Sequence, residues 1–287
     1  MIETSQEHEI FSYEPFTQHA FYKEVNRNLV ERAVGSLPTN RPLTIVDLGS
    51  GTGAVTQMVA EALSRRGMNA TLIGVEPSAD AIARAERRLA GSSMDVRFVQ
   101  GDSADLARLG VSVDALFFCN AIHLVPDKNE AIQQIAQVLA PGGLFVFNSS
   151  FFTGAYVPGT EGFYRTWTRR AIGWLRREHP EVKLARDEKA LAMQWLSGDE
   201  YTAILQKHGF GVLHCSLDEA LMDLQSWHDI GHYWLFIEGA LPGAPLATGA
   251  EALRYGANET FQEQSLVYVP RNWLQVVSRL EGNPRQN

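Results

Sequence analysis

A glycine-rich turn at residues 49–53 constrains the fold of this chain more than any other feature. An apolar run at residues 45–48 leads into the sequence Gly-Ser-Gly-Thr-Gly, and an amphipathic segment begins at Ala54. Glycine allows a tight turn and a close approach of backbone to ligand that a Cβ atom would prevent, and the first amide groups of a helix attract polar ligand atoms. The pattern therefore predicts a strand, a ligand-binding turn and a helix in that order.

Two further apolar runs end in acidic residues. The run at 70–75 is followed by Glu76, and the run at 96–99 leads through Gln100 to Gly101 and Asp102. Ligands of parallel sheets bind outside the carboxyl ends of the strands, which is where these acids fall. Such a sheet, covered by helices on both faces, is indicated by regular alternation of strands and helices. The predicted strands are 43–48, 70–75, 96–99, 113–119 and 143–148, and the predicted helices between them are 54–65, 78–90 and 128–139.

At these positions the sequence resembles the class I S-adenosylmethionine-dependent methyltransferases, over roughly residues 41–150. Residues 114–120, read as strand four, and Pro141-Gly142-Gly143 before strand five also match the family pattern. The resemblance implies an α/β fold, with a doubly wound, mostly parallel, seven-stranded Rossmann-like sheet and helical insertions. It also implies that the last two strands form an antiparallel hairpin and that S-adenosyl-L-methionine is the cofactor.

The resemblance assigns roles to the strand ends. It implies that the glycine loop holds the methionine part of the cofactor, Glu76 the ribose hydroxyls, and Asp102 with Ser103 the adenine. The cofactor-binding residues that we expect are Asp47, Gly49, Ser50, Gly51, Gly53, Glu76, Pro77, Asp102, Ser103 and Asn120. A dinucleotide-binding domain is the competing interpretation, but its ribose-binding acid lies about 20 residues beyond the loop, and Glu76 lies further on.

The domain organisation follows from the same comparison of patterns. We expect an N-terminal helical lid at 1–40, with a helix at 15–34, and a cofactor-binding core at 41–150. An aromatic and basic insertion at 151–196 precedes a core helix near 198–208 and strand six near 210–215, together residues 197–216. A mostly helical insertion at 217–268, a last strand at 269–280 and a flexible tail at 281–287 complete the prediction.

The first insertion presents an aromatic stripe. Phe163, Trp167, Ala171 and Trp174 recur at helical spacing, with arginines mostly elsewhere. The helix is then either an ordinary amphipathic helix with a solvated basic face, or a lid that offers aromatic surface to an apolar substrate. A basic helix also suits a membrane surface or an acidic carrier protein, an interpretation weakened by the acidic residues that follow.

One histidine is our candidate catalytic base. His123 comes just past strand four, where the resembled family places residues beside the reactive methyl, although a structural histidine is an equal alternative. The candidate substrate-pocket residues are Tyr13, His19, Tyr22, Phe151, Tyr156, Trp167, His228 and Tyr233. His228 and His232 are four residues apart, but with no third ligand in the pattern we predict packing and no metal.

The composition of the chain disfavours some classes of binding partner. A formal net charge of −8 and a pI near 5.5 disfavour nucleic acid as the substrate, because the overall field repels phosphate backbones. The two cysteines, Cys119 and Cys215, do not form a disulfide framework, and we expect both to be buried in strands. No apolar run approaches a membrane span, so we predict a cytoplasmic location.

The sequence thus predicts an enzyme that transfers a methyl group to a small, largely apolar or aromatic acceptor. The alternative is a cofactor-binding protein on the same scaffold, such as a cyclase, decarboxylase or sensor, that does not transfer methyl. A ligand in the pocket would distinguish the two. The identity of the acceptor, the methylated atom and the oligomeric state are left open by the sequence.

Overall fold

A computed structural model describes residue 8, residues 10–185 and residues 195–282 of the chain. The chain divides into two compact units. The sheet unit comprises Glu24–Phe152, Leu196–Asp218 and Trp273–Asn287, and the helical unit comprises Met1–Lys23, Thr153–Trp195 and Glu219–Asn272. The end of the predicted tail at 283–287, part of the predicted first insertion at 186–194, and residues 1–7 and 9 of the predicted lid lie outside the described residues.

In the described part of the chain, seven strands form one sheet, and its topology is the doubly wound one expected from the sequence. The strands are β1 (Leu43–Leu48), β2 (Ala70–Glu76), β3 (Asp95–Gln100), β4 (Val113–Cys119), β5 (Leu139–Ser149), β6 (Phe210–Met222) and β7 (Val269–Leu280). Their order is β3-β2-β1-β4-β5-β7-β6. The first five pair in parallel, and β5 pairs with β7 antiparallel. The strand order reverses between β1 and β4, the point where ligands of such sheets bind.

The helices follow the strands at the predicted places. In the described residues they are α1 (Glu14–Thr17), α2 (Ala20–Val34), α3 (Ala54–Arg65), α4 (Ala79–Leu89), α5 (Lys128–Val138), α6 (Glu161–Glu178), α7 (Gly198–Lys207), α8 (Leu224–Gly231), α9 (Trp234–Ala240) and α10 (Leu246–Glu263). Side-chain caps fix two of the starts: Ser78 Oγ accepts from the Ala81 amide at 3.2 Å, and Asp127 Oδ1 accepts from the Glu130 amide at 2.9 Å.

The predicted leading helix at 15–34 is interrupted. Helix α1 ends at Thr17 and α2 begins at Ala20. The Thr17 hydroxyl donates to the Glu14 carbonyl at 2.7 Å, and the Gln18 amide donates to the Pro15 carbonyl at 3.1 Å, so local bonds close the first turn. Phe16, Val25 and Leu29 of this segment are buried, whereas Phe21 is only half-buried.

One face of the sheet unit packs on α2 and α3. The cluster joins strand residues such as Ile45, Phe117 and Val146 to Leu29 of α2 and Leu63 of α3, all at most 2% exposed. All of them lie in strands or helices that the sequence predicts. The first half of β1 therefore lies in a dry core, and its last residues carry the glycine loop out of that core.

Strand β6 extends further than predicted, to Met222 rather than 215. Its side chains alternate in exposure, and Leu213, Leu217 and Leu221 are about half exposed. The strand continues through the polar residues Ser216, Asp218 and Glu219, and it is the outermost strand of the sheet. Cys215 shares the exposed alternation, so the expectation that both cysteines are buried was wrong for Cys215.

Strands β6 and β7 run antiparallel, as the resemblance implied. The Glu281 amide, just past the end of β7, donates to the Gly209 carbonyl just before β6 at 2.9 Å. Further along, the side-chain nitrogen Nε2 of Gln275 in β7 donates to Asp218 Oδ2 in β6 at 3.3 Å. Rising numbers on one strand thus meet falling numbers on the other.

The helical unit is built around α6 and α10. The backbone of α6 comes so close to Gly256 of α10 that a Cβ there would lie 2.7 Å from the Trp167 carbonyl oxygen. Trp167 is 2% exposed, and its indole donates to the Leu253 carbonyl at 2.7 Å. The aromatic stripe of α6 therefore faces the core of its own unit, as in an ordinary amphipathic helix.

Candidate functional site

The glycine loop adopts a conformation that requires glycine. Gly49, Gly51 and Gly53 have φ angles of 65°, 52° and 79°, in the left-handed region that side-chain-bearing residues rarely adopt. Gly53 is followed directly by α3, whose first residue is Ala54. The loop therefore turns the end of β1 into the start of a helix at the point where the strand order reverses.

Glu76 reaches the glycine loop from the neighbouring strand. Its Oε2 accepts from the Gly51 amide at 2.9 Å, and its Oε1 accepts from the Ser78 amide at 3.0 Å. Burial raises the pKa of this carboxyl, although the two amide donors act in the opposite direction. The structure thus brings the acid after strand two and the loop together, as the sequence predicted, with carboxylate oxygens at the loop's edge.

The loop shows two features that fit a ligand. The Ser50 hydroxyl is buried and has no hydrogen-bond partner among the described residues. A Cβ built on Gly51 would meet no atom within 4 Å, so open space adjoins the loop there. A buried hydroxyl without a partner costs free energy that a polar ligand would recover. A cofactor with hydroxyl and carboxylate groups, lying against Ser50, Gly51 and Glu76, fits both observations.

Asp47 lies beneath the loop. It is 4% exposed, and its Oδ2 accepts from the Thr56 hydroxyl of α3 at 2.6 Å. Burial raises its pKa to about 7, and the negative charge of Glu76 adds to the increase. The contact with Thr56 joins the end of β1 to the first turn of α3, so Asp47 supports the loop from inside the core.

The third predicted acid lies at the surface. Asp102 is exposed, and its Oδ1 accepts from the Ala104 amide at 2.8 Å, capping the short 3₁₀ helix Ser103–Leu109. Ser103 is half-buried. Pro77 is exposed, and its carbonyl accepts from Gln100 Nε2 at 2.9 Å. These residues stand at the carboxyl ends of β2 and β3, on the same edge of the sheet as Glu76.

A buried amide network surrounds Asn120, whose φ of 56° is unusual for a residue other than glycine. Its Nδ2 donates to Asn26 Oδ1 at 3.0 Å, and its Oδ1 accepts from Trp273 Nε1 at 2.9 Å. The Asn148 side chain in β5 accepts from the backbone amide of Asn120 at 3.0 Å. Its Nδ2 donates to the same Asn26 oxygen, also at 3.0 Å. The network fixes the backbone just after β4 in its strained conformation.

Sequence reasoning missed Asn26, Asn148 and Trp273. An asparagine inside the apolar run of strand five was the available signal, since a polar side chain in a buried strand needs partners. Asn148 is fully buried. Its partners come from distant parts of the chain, so no local pattern reveals them.

His123 is buried at the start of the segment after β4. It is 4% exposed, its ring stacks on Phe151 at 4.5 Å, and its Nδ1 lies 3.2 Å from Ser149 Oγ. Lys128 Nζ donates to the Val125 carbonyl at 2.9 Å and lies 3.4 Å from the His123 carbonyl oxygen, which holds the segment in place. Two of the predicted residues, His123 and Phe151, are therefore in contact.

The remaining predicted pocket residues belong to the helical unit. The Tyr13 ring lies 5.9 Å from the Tyr22 ring and 5.0 Å from the Tyr233 ring. His19 Nε2 lies 2.7 Å from Asp229 Oδ2. Tyr156 is about one-third exposed and stacks on Tyr164 at 3.9 Å.

Two of the predicted pocket residues have contacts that support a packing role. The indole nitrogen of Trp167 donates to the Leu253 carbonyl, and the Trp167 ring lies 5.2 Å from the Trp227 ring. His228 Nε2 lies 3.0 Å from Asn258 Oδ1, so His228 joins α8 to α10. In the described part of the chain, no three or more His, Cys, Asp or Glu side chains are grouped so as to hold a metal ion.

The region that carries the glycine loop is similar to known proteins. Residues 45–143 match the family model of a methyltransferase domain. The ubiquinone/menaquinone biosynthesis C-methyltransferase UbiE of Nitrobacter hamburgensis is 30% identical over 133 residues, which cover 46% of this chain and 51% of that protein. Over this region the chain is similar to known methyltransferases. The 27-O-demethylrifamycin SV methyltransferase of Amycolatopsis mediterranei is 28% identical over 128 residues, 44% of this chain and 45% of that protein.

The methyltransferase model matches only part of the chain. The chain spans about half the length of the curated relatives that it matches. Solved structures are similar in fold to the chain over most of its length. The cyclopropane synthase MmaA2 of Mycobacterium tuberculosis gives a TM-score of 0.52 at 13% identity, covering 87% of this chain and 82% of that one. The [4+2]-cyclase SpnF gives a TM-score of 0.52 at 17% identity, covering 90% and 81%. At such identities the likeness concerns the fold alone.

Among the helices that the structure describes, none is both long and apolar enough to cross a membrane.

Proposed function

We propose that this chain binds S-adenosylmethionine at the loop after β1 and transfers its methyl group to a small aromatic or largely apolar molecule. The observation that carries the proposal is the junction of Gly51 and Glu76 beside the unsatisfied Ser50 hydroxyl. The names of two relatives, a C-methyltransferase and a rifamycin methyltransferase, support a small-molecule acceptor. The net charge of −8 favours such an acceptor over a nucleic acid.

The proposed roles follow from the strand ends. Ser50 and the loop amides would hold the methionine part, the Glu76 carboxylate would accept hydrogen bonds from the ribose hydroxyls, and Asp102 with Ser103 would meet the adenine. The cofactor supplies an electrophilic methyl group. The protein contributes by orienting the acceptor atom toward it and by excluding water. The buried network around Asn120 keeps the backbone after β4 rigid, which serves that orientation.

Calorimetric titration with S-adenosylhomocysteine tests the cofactor site. Glu76→Ala removes the carboxylate, and charge-assisted hydrogen bonds are worth on the order of 1.5–3 kcal/mol, so its affinity should fall about 10- to 100-fold. Asp80→Ala is the matched control, because Asp80 is an exposed acid four residues further along the same unit. Equal affinity in the two variants would remove Glu76 from the site.

We propose His123 as the general base for acceptors that must lose a proton. Its position after β4 and its contact with Phe151, a second candidate pocket residue, support this role. His123→Ala should lower turnover by a factor on the order of 10²–10⁴ and leave the affinity for S-adenosylhomocysteine unchanged. Near-normal turnover would make His123 a packing residue. Binding of S-adenosylhomocysteine with no methyl transfer to any acceptor would favour the alternative of a non-transferring protein.

A further inference from the structure

The hydroxyl of Ser149, the last residue of β5, makes three contacts in the core of the sheet unit. The side chain is fully buried. Its Oγ accepts from the Phe151 backbone amide at 3.0 Å and donates to the Phe151 backbone carbonyl at 3.2 Å. The third contact is His123 Nδ1, at 3.2 Å. A serine hydroxyl carries one proton and two lone pairs, so three contacts use it completely.

The two Phe151 contacts determine what remains for the histidine. The amide can only donate, so it takes one lone pair of the Ser149 oxygen, and the carbonyl can only accept, so it takes the single hydroxyl proton. The second lone pair is left for Nδ1, which must carry a proton to complete the third bond. If the hydroxyl proton turned toward Nδ1 instead, the Phe151 carbonyl oxygen would face a lone pair and one hydrogen bond would be lost.

We propose that Ser149 is a positioning residue that fixes His123 in the tautomer with its proton on Nδ1. The hydrogen bond at one ring nitrogen sets the protonation of the other, so Nε2 is the unprotonated nitrogen of the neutral ring. The assignment depends only on the contacts of Ser149, and it holds whatever Nε2 contacts. It rests on the proposed function in one respect, which is that Nε2 then acts as the base.

Further contacts keep the histidine ring in place beside Ser149. The Phe151 ring stacks on it at 4.5 Å with an angle of 27° between the planes. Lys128, itself 6% exposed, donates to the Val125 carbonyl at 2.9 Å and lies 3.4 Å from the His123 carbonyl oxygen. The backbone and the ring face of His123 are therefore both held, so its Nδ1 stays directed at the Ser149 oxygen.

This tautomer suits the transfer of a proton to the ring. When Nε2 takes a proton from an acceptor, the imidazolium carries a proton on each nitrogen, and the bond from Nδ1 to Ser149 is unchanged. In the opposite tautomer, a proton arriving at Nδ1 would meet the proton of the Ser149 hydroxyl, which would have to rotate away. Ser149 thus acts through His123, by removing the need for that rearrangement.

The tautomer is measured by nuclear magnetic resonance on the full chain, with histidine labelled by a nitrogen isotope. Protonated and unprotonated ring nitrogens resonate in separate ranges, and their couplings to the ring protons tell Nδ1 from Nε2. At about pH 8.5, well above the ordinary imidazole pKa of about 6.5, the neutral form is observed. His123→Gln identifies the His123 signals among those of the 8 histidines. We expect a protonated Nδ1 and an unprotonated Nε2.

Ser149→Ala removes the hydroxyl, and Ser278→Ala is its matched control. Ser278 is also a fully buried serine of the sheet unit, in the neighbouring strand β7, and its hydroxyl donates to the Phe145 carbonyl at 3.0 Å. Ser149→Ala should shift the tautomer ratio about 5- to 10-fold toward the proton on Nε2, the effect of one hydrogen bond, and should lower turnover by a similar factor. Ser278→Ala should change neither, and Ser149→Thr, which keeps a hydroxyl, should keep the tautomer.

A proton on Nε2, or a mixture of tautomers, in the natural protein would overturn the proposal, and this result needs no variant to fold. An unchanged tautomer in Ser149→Ala, shown to be folded by its melting temperature, would also overturn it. The base is tested separately by His123→Ala. A proton on Nδ1 together with normal turnover of His123→Ala would support the role of Ser149 and contradict the base. A mixture of tautomers together with impaired turnover of His123→Ala would contradict the role of Ser149 alone.

Discussion

At the scale of single residues, Asp47 places an ionisable carboxyl in a deeply buried position beneath the proposed cofactor loop. Its carboxyl is almost inaccessible to water, and the Thr56 hydroxyl stabilises it. The folded protein holds the Asp47 proton up to about pH 7, whereas an unfolded chain releases it near the ordinary pKa of about 3.9. The unfolded state therefore binds fewer protons between these values, and the free energy of unfolding falls as the pH rises through this window.

Asp47→Asn isolates this effect. Asparagine keeps an oxygen acceptor for Thr56 but cannot ionise. The variant should be more stable than the natural protein at pH 8, and its advantage should grow by about 2 kcal/mol between pH 5 and pH 8. Urea unfolding at the two pH values measures the difference, and the contribution of Glu76, present in both proteins, cancels in first approximation. A constant difference across the pH range would show that Asp47 is not held protonated.

At the scale of elements, the parts predictable from sequence are those that local chemistry determines. Strands β1 and β4 and helix α3 begin and end at the predicted residues, because glycines or a polar residue bound their apolar runs. The leading helix and β6 differ from the prediction for opposite reasons. A hydroxyl bond closes α1 early, and β6 continues through polar residues because its outer face meets solvent.

The candidate site was predictable to the extent that its residues follow strand ends. Glu76 and Gly51 meet because parallel strands place their carboxyl ends on one edge. Asn26 and Trp273 gave no such signal. Their contacts depend on which distant segments pack together, and a single sequence does not encode that in a local pattern.

At the scale of the whole molecule, the two units separate the proposed tasks along the chain. The matched methyltransferase domain, residues 45–143, falls within the sheet unit. Most of the candidate acceptor residues, Tyr13 among them, fall outside the matched range, in the helical unit. The relatives that share this domain are similar to the chain over only about half of their own length. We therefore propose that the segments outside the match determine which acceptor binds.

The central claim is that the loop at Gly51 binds S-adenosylmethionine, and a pair of glycine variants tests it most directly. Gly51 and Gly67 have φ angles of 52° and 64°, and a Cβ at either would meet no atom within 4 Å. Gly51→Ala and Gly67→Ala should therefore each lower stability by a similar amount, about 1–2 kcal/mol.

Only Gly51→Ala places a methyl group where the cofactor is proposed to lie. In calorimetric titrations with S-adenosylhomocysteine, we predict that Gly51→Ala binds about tenfold more weakly or worse, while Gly67→Ala binds as the natural protein does. Equal affinities in the two variants would contradict the placement of the cofactor at this loop.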